Sequence, residues 1–533
     1  MLTRRPALAA ILACAVTAIG APAAVAKSGP SAPELNWKPC GTAPNVTCTT
    51  AAVPADYDKP KGRTYSLFVA KSPATDPAHR IGSLFINFGG PGGTTADRFE
   101  ARGQSYFPGL NKRFDIIGMD PRGVGQSTPS IDCKANQETL GIYSQPFTTP
   151  ENLDVDALLG KDRAYIRQCV RLNGDLLEHV STANVARDID LLRQSLGESK
   201  ITYFGFSYGT FLGSTYANLF PSHYRAMVLD GPVDADAYIN DPQRDLAAQT
   251  SGFERALGRF LAACAHDTAA CRGFGATSGD PWDEFDQLVD RLDAHPAATS
   301  DGRTLDGDDA RAGTAVALYN KRNWPTLAQA LQNADTGSPD LMRALADAFY
   351  GRNDDGTYDP AGDRYFTIGA TEQRYPRQLR SYLRAGAQSW DQHEHFSFNN
   401  GYNELNYGLS PAHDRDAFDG PWRLAGSAVT PLVVATTYDP ATPYHGARNL
   451  VRELGNARMI TMRGDGHTAY GSNSACINAA VEGYLEQGTL PPAGTQCKQA
   501  VPFAAPAPAA SAASRRAATP AAVRRMQLHV RPY

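Results

Sequence analysis

Six short apolar runs near the two ends of the chain predict the buried strands of one sheet. Each run is five to seven residues long, and runs that are apolar at nearly every position are typical of strands covered on both faces. The runs are residues 82–88 (GSLFINF), 114–119 (FDIIGM), 201–206 (ITYFGF), 225–229 (RAMVL), 431–436 (PLVVAT) and 457–462 (ARMITM). We therefore expect a mostly parallel sheet.

A helical pattern separates the second and third runs. The segment TANVARDIDLLRQSL places Val185, Ile189, Leu192 and Leu196 on one helix face, and Thr182 is its predicted N-cap. Strands that alternate with helices indicate βαβ units and an α/β fold.

The middle of the chain, residues 233–422, has a different pattern. It is rich in helical stretches such as 252–264 and 341–350, which polar Asp/Gly segments separate. We predict a helical cap inserted between two parts of a core, residues 27–232 and 423–500. An independent domain is the alternative, but it would need Pro/Gly linkers at both ends, and the sequence offers none.

Composition adds few constraints. The chain has 533 residues, 42% of them hydrophobic and 20% charged, with a net charge of −4. This is typical of a globular protein with more than one core. The charge gives no reason to expect a nucleic-acid partner. Residues 501–533 are rich in Ala, Pro and Arg, a composition that predicts a disordered tail.

The N-terminus predicts export. Arg4 and Arg5 precede an apolar run over residues 7–19, and an A-x-A sequence ends at Ala26. These features are typical of a signal peptide, here cleaved after Ala26, and the run is short for a membrane anchor. The arginine pair leaves a twin-arginine route open. Lipidation at Cys14 is disfavoured because the apolar run continues past it.

Cysteine usage agrees with an extracellular protein. Of nine cysteines, all but Cys14 remain after cleavage, and an even number in an exported chain favours disulfides over metal or thiol chemistry. No C-x-x-C or Cys/His cluster offers a zinc site, so we expect no metal or other cofactor. Closeness in sequence favours the pairs Cys40–Cys48, Cys133–Cys169, Cys264–Cys271 and Cys476–Cys497.

The sequence GFSYG around Ser207 is a G-x-S-x-G pattern. By itself the pattern is common in a chain with 48 glycines. Here a predicted strand runs directly into it and a helical segment follows, which is the strand–turn–helix context of the nucleophile in an α/β hydrolase. We predict that Ser207 is the nucleophile of an α/β-hydrolase fold with an inserted helical cap.

A glycine-rich loop, NFGGPGG at residues 87–93, follows the first predicted strand. An ordinary turn is the alternative, but residues without side chains allow backbone N–H groups to approach a substrate oxygen, as an oxyanion hole requires. The predicted donors are the N–H groups of Gly90 and Tyr208.

The acid and base of such an enzyme follow the serine in that order. Asp439 comes after the fifth predicted strand and His467 after the sixth, at the strand ends where an open α/β sheet gathers its site. Asp465 is a rival acid, but it lies only two residues from His467 and presents its carboxylate poorly to the far ring nitrogen. We therefore prefer Asp439.

The motif DPRGVGQS contains Asp120 and Arg122 just after the second predicted strand. We interpret it as a buried Asp–Arg pair that braces neighbouring loops, in preference to a substrate contact.

These motifs together resemble the secreted tripeptidyl aminopeptidases of actinobacteria, α/β hydrolases akin to the prolyl aminopeptidases. The motifs are NFGGPGG, DPRGVGQS, TANVARDIDLLRQSLG, YFGFSYGT, DPATPY and GDGHTAY. The resemblance spans residues 35–497 and implies the same nucleophile, acid and base, with the oxyanion loop over residues 89–93.

Two departures from the family pattern matter, one in the glycine-rich loop and one in the cap. Phe88 stands where the family often has proline, and Ala370-Thr371-Glu372 stands where it often has Cys-x-Asp. A partner cysteine near residues 405–412 is absent as well. The resemblance therefore implies a missing cap disulfide, and the altered cap leaves the substrate preference open.

The resulting hypothesis is a serine exopeptidase that releases short N-terminal peptides, in particular tripeptides, through an acyl-enzyme. An aminopeptidase needs a carboxylate for the free amine of its substrate, and Glu372 and Asp234 are the candidates. We expect a monomer that acts on peptides, without nucleic acid or stable membrane association. A secreted esterase or lipase is the alternative. A catalytically silent binding protein is less supported, and Ser207 argues against epoxide or haloalkane hydrolases, which have Asp at this turn.

Overall fold

The computed structural model describes residues 30–144, 149–276, 278–397, 400–471, 473–501 and 503. The predicted signal peptide, with Cys14 and Ala26, lies outside the described residues, as does nearly all of the predicted tail.

Ten strands form one sheet in the order β1-β2-β3-β5-β4-β6-β7-β10-β11-β12. Neighbours are antiparallel from β1 to β5 and parallel from there to β12. A short hairpin of β8 and β9 lies apart from the sheet. The strands are β1 Lys38–Pro39, β2 Thr47–Pro54, β3 Thr64–Ser72, β4 Gly82–Asn87, β5 Phe114–Met119, β6 Ile201–Phe206, β7 Tyr224–Asp230, β8 Ala297–Ala298, β9 Thr304–Leu305, β10 Leu432–Tyr438, β11 Arg458–Asp465 and β12 Gln496–Lys498.

Six of the described helices connect the strands of the large sheet, and nine follow one another between β7 and β10. The first group is α1 Ala96–Arg102, α2 Val155–Asn173, α3 Thr182–Ser195, α4 Tyr208–Leu219, α14 Tyr444–Leu454 and α15 Ala475–Gln487. The second group, called the cap helices below, is α5 Ala235–Asn240, α6 Pro242–His266, α7 Pro281–Ala294, α8 Gly307–Leu318, α9 Trp324–Asp335, α10 Asp340–Tyr350, α11 Ala361–Glu372, α12 Leu379–Gln392 and α13 Leu405–Leu409. The fold is that of an α/β hydrolase, as predicted.

Each of the six apolar runs forms a strand, namely β4, β5, β6, β7, β10 and β11. The predicted N-cap of α3 is wrong by one residue. Ser181 occupies the N-cap position, and its side chain makes no capping hydrogen bond. Thr182 is already the first helical residue, and its hydroxyl donates to Glu372 in α11 at 2.9 Å.

Arg122 does brace neighbouring segments, but its partner is not Asp120. The guanidinium of Arg122 donates to both carboxylate oxygens of Asp188 in α3, at 2.7 and 2.8 Å. It also reaches the carbonyls of Pro54, Ala55 and His179. Both side chains of the pair are 0% exposed. Asp120 instead accepts backbone N–H groups of its own surroundings.

We expect Asp188→Asn to destabilise the fold strongly, because it leaves the Arg122 charge buried without its counter-ion. Such a loss costs about 3–5 kcal/mol. A matched control is Asp175→Asn, since the Arg63–Asp175 pair is 2.6 Å long but more than half exposed, and an exposed pair contributes less than about 1 kcal/mol. Chemical denaturation of both variants measures the difference, and equal losses would contradict the bracing role.

The four predicted disulfides are confirmed. They are Cys40–Cys48, Cys133–Cys169, Cys264–Cys271 and Cys476–Cys497. Disulfides form and persist in oxidising compartments such as the extracellular space. Among the described residues, no helix combines the length and apolar character needed to cross a bilayer.

Candidate active site

Ser207 lies at the turn between β6 and α4, in a backbone conformation that few residues other than glycine adopt. Its φ is 55° and its ψ is −129°, and strained backbone of this kind clusters at functional sites. The Ser207 N–H donates to the carbonyl of Asp230 at the end of β7, at 2.9 Å. This strand–turn–helix geometry presents the serine side chain at the carboxyl edge of the sheet.

The two glycines that flank this turn are required by close backbone contacts. A Cβ atom on Gly205 would lie 2.2 Å from the carbonyl oxygen of Gly209, and one on Gly209 would lie 2.6 Å from the carbonyl oxygen of Asn87. Real Cβ atoms do not approach that closely. The G-x-S-x-G spacing thus reflects the packing of α4 against the end of β4.

Asp439 and His467 are joined at the ends of β10 and β11. Nδ1 of His467 lies 2.9 Å from each carboxylate oxygen of Asp439, whose side chain is 1% exposed. The carboxylate also accepts the N–H groups of Ala441 and Thr442. Because a carboxylate only accepts, Nδ1 carries a proton. Nε2 is buried and has no hydrogen-bond partner among the described residues.

Asp230 connects the serine turn with the histidine loop. Its carboxylate accepts the N–H groups of Ala469 and Tyr470 at 2.8–3.0 Å, just after His467. A Cβ atom on the next residue, Gly231, would lie 2.9 Å from Cε1 of His467. Burial raises the pKa of Asp230 to about 7, although the backbone N–H groups oppose this. Sequence reasoning missed Asp230, whose only signal was an acid at the end of a parallel strand.

Asp465 does not contact the histidine ring. It forms ion pairs with Arg259 in α6 and with Lys321, the latter at 2.9 Å. The His467 N–H donates to the Tyr319 carbonyl at 2.7 Å. The loop that carries His467 is therefore fixed to the cap helices and the segments between them. The ring itself contacts the Asp439 carboxylate, the Thr442 hydroxyl at 3.3 Å and the ring of Tyr319.

The glycine-rich loop lies directly against the serine turn. The Asn87 side chain accepts the N–H of Gly89 at 3.0 Å, and an ideal Cβ atom on Gly89 would lie 2.9 Å from Cβ of Ser207. Gly90 and Tyr208 line the same cavity as Ser207. This placement agrees with an oxyanion hole, whose donors stay a prediction.

The cavity above Ser207, called the front cavity, holds about 750 Å³ of space including its mouth. Cap residues also line this cavity, among them Asp234, Arg244 and Asp245. The Asp234 carboxylate already accepts from the Ala237 N–H and from the Asn449 amide, so both of its oxygens have partners.

Comparison with known proteins agrees with this geometry. A family model described as TAP-like protein matches residues 411–497. The serine protease Hip1 of Mycobacterium tuberculosis is 32% identical over 507 residues, which cover 92% of this chain and 96% of that protein. The chain belongs to this TAP-like family. It is a serine hydrolase, as the motifs predicted.

Other relatives carry different names. Carboxylesterase B of M. tuberculosis is 33% identical over 87% of this TAP-like chain and 90% of its own length. Tripeptidyl aminopeptidase of Streptomyces lividans is 29% identical, with 91% and 90% covered.

Glu372 of the TAP-like chain does not reach the front cavity, contrary to its predicted role at the substrate amine. It lines no cavity beside Ser207 and is 2% exposed. Its two oxygens accept the N–H and the hydroxyl of Thr182, at 2.8 and 2.9 Å. Burial raises the pKa of Glu372 to about 8. The hydrogen bonds from Thr182 act to lower this pKa, and the charge of nearby Asp414 acts to raise it.

We expect Glu372→Gln to stabilise the chain progressively as the pH rises. The folded-state pKa is raised to about 8, so the native state keeps a proton that the unfolded state loses above its ordinary pKa of about 4.3. The free energy of unfolding of the wild-type chain therefore falls as the pH rises from about 4.3 to about 8, by up to about 1.4 kcal/mol per pH unit. Glutamine does not ionise, so the variant lacks this loss. Melting temperatures of both proteins from pH 4 to 9 measure it. A difference independent of pH would contradict the prediction.

Proposed function

We propose that the chain is an exported serine exopeptidase that releases short peptides, in particular tripeptides, from substrates with a free N-terminus. The observation that carries the proposal is the lining of the front cavity, to which the cap helices α5, α6 and α11 contribute Tyr238, Gln249 and Tyr365. A cavity walled by both the core and the cap accepts a chain end more readily than the middle of a folded polypeptide. The relative named tripeptidyl aminopeptidase supports the length of the released peptide.

In the proposed reaction, Ser207 attacks the scissile carbonyl and Nε2 of His467 takes the hydroxyl proton. The N–H groups of Gly90 and Tyr208 stabilise the oxyanion. His467 then donates the proton to the leaving amine, and the C–N bond breaks to leave an acyl-enzyme. Water, deprotonated by His467, releases the peptide and restores the serine, while Asp439 keeps the imidazole oriented throughout.

Matched substrates test this function. The purified chain is given tripeptidyl coumarin amides with a free amine, the same amides acetylated at the N-terminus, and mono- and dipeptidyl amides. We expect kcat/KM to be largest for the free-amine tripeptides and at least tenfold lower after acetylation. Equal rates on blocked and free substrates would overturn the exopeptidase proposal.

A carboxylesterase is the second candidate, since the same three side chains hydrolyse esters and a relative at 33% identity is named Carboxylesterase B. Acyl-chain p-nitrophenyl esters in the same assay separate the two. Efficient turnover of long-chain esters, with no turnover of any peptide amide, would favour the esterase.

A further inference from the structure

A second cavity, called the rear cavity, adjoins the front cavity beneath the cap helices. It holds about 890 Å³ of space including its mouth. The two cavities share lining residues, among them Tyr238, Asp245 and Gln249. Ser207 lines only the front cavity and Glu404 only the rear one. A substrate that reaches from Ser207 to Glu404 therefore passes Asp245.

Glu404 lacks a full set of partners. The residue is 0% exposed, and Oε2 accepts the Gly401 N–H at 2.7 Å. Oε1 is buried, and no described residue meets it with full hydrogen-bond geometry, although the Tyr375 hydroxyl lies close enough to lower the pKa of the carboxyl. Burial raises the pKa of Glu404 to about 8, and the Gly401 N–H and the nearby Tyr375 hydroxyl offset this only in part. A buried carboxyl oxygen without a donor is costly, so a donor from a bound ligand would stabilise it.

Asp245 provides a second acid where the two cavities meet. Its side chain is partly buried and lines both cavities. Burial, followed by the charge of Asp234, raises the pKa of Asp245 to about 7, although Arg244 opposes this. Arg244 lines only the front cavity, and no Lys or Arg occurs among the described residues that line the rear cavity.

The remaining walls of the rear cavity suit a compact cation. Six tyrosines contribute to its lining, including Tyr375 and Tyr407 beside Glu404. Aromatic faces attract ammonium groups, the more so where water is excluded. The buried Oδ1 of Asn403, a further acceptor in this wall, also has no partner among the described residues.

We propose that Glu404 and Asp245 form the subsite that holds the α-ammonium group of the peptide substrate. This inference rests on the proposed exopeptidase function and names the residues that impose it. The ammonium group supplies donors to Oε1 of Glu404 and to the Asp245 carboxylate. Its distance from Ser207 then sets how many residues are released.

The test uses Glu404→Gln, Asp245→Asn and the double variant, assayed on a free-amine tripeptidyl coumarin amide and its N-acetylated counterpart. Each single change should lower kcat/KM for the free-amine substrate by about 10- to 100-fold, because a hydrogen bond to a charged group is lost. The rate on the acetylated substrate should stay within threefold, so the preference for a free amine collapses.

Two controls show that the site itself remains intact. Labelling by a fluorophosphonate and hydrolysis of p-nitrophenyl acetate, which is too short to reach the rear cavity, are measured in every variant to show that Ser207 remains reactive, and Glu372→Gln should match the wild-type chain in both. Glu372→Gln is the matched substitution, since Glu372 is equally buried but lines neither cavity, and it should keep the free-amine preference.

The outcomes are distinguishable. If the wild-type chain prefers free amines but the double variant keeps that preference, the ammonium subsite is overturned and the exopeptidase proposal survives. If the wild-type chain shows no preference, both fail. If Glu372→Gln abolishes the preference as strongly as Glu404→Gln does, the assignment to the rear cavity is overturned.

Discussion

Ser207→Ala should lower kcat by about 10⁵- to 10⁶-fold on both ester and peptide substrates. Without the hydroxyl no acyl-enzyme forms, and the oxyanion donors and the cavity accelerate the attack of water only weakly. Alanine also relieves little of the strain at φ 55°, because the conformation is imposed by the hydrogen bond to Asp230 and by the packing of α4. The measurement is the initial rate, with fluorophosphonate labelling as a second readout.

Ser214→Ala provides the matched control for this substitution. Ser214 lies two turns further along α4, where its hydroxyl donates to the Thr210 carbonyl at 2.8 Å, away from the cavity. We expect its variant to retain at least half of the wild-type rate and to be labelled normally. Peptidase activity or labelling that survives in Ser207→Ala would contradict the assignment of the nucleophile.

The placement of Ser207, Asp439 and His467 at one edge of the sheet was predictable because each residue follows an apolar run that forms a central parallel strand. The carboxyl ends of such strands share one edge of the sheet. The chain order of acid and base then fixes which loops meet the serine turn. The local pattern was sufficient for this prediction, because an apolar run marks a strand as buried without knowledge of the strands that pair with it.

The first part of the sheet was not predictable in the same way. Strand β2 reads TCTTAAVP and is buried at alternate and irregular positions, so threonine and alanine replace the long apolar side chains that mark a buried run. Its structure depends on pairing with β3, and β3 in turn pairs antiparallel with β5. Such pairing is a tertiary property that the pattern of a single segment does not contain.

Glu372 and Glu404 show why the substrate end of the site required the structure. Both are buried carboxyl groups in the cap region, and burial raises both pKa values to about 8. Thr182, 190 positions away in the chain, satisfies Glu372, whereas no described residue meets Oε1 of Glu404 with full hydrogen-bond geometry. The difference lies in distant partners, which neither spacing nor family resemblance reveals.

Asp439→Asn should lower kcat by about 10⁴-fold while leaving the fold intact. Asp439 accepts from Nδ1 of His467 and from the N–H groups of Ala441 and Thr442. An asparagine that keeps its oxygen toward the two backbone donors turns its amide N–H toward Nδ1, which favours the tautomer with the proton on Nε2. That tautomer cannot take the proton of Ser207.

Asp465→Asn separates this effect from a general loss of charge near the base. Asp465 lies two residues from His467 but pairs with Arg259 and Lys321. Loss of these ion pairs should lower the melting temperature of Asp465→Asn. The kcat of this variant should change by less than about tenfold, because the orientation of the imidazole depends on Asp439. Steady-state kinetics and thermal unfolding of both variants are measured in parallel. A larger loss of kcat in Asp465→Asn than in Asp439→Asn would exchange their roles. Because Asp465 anchors the histidine loop to the cap, we expect KM to rise in that variant while kcat stays within this limit.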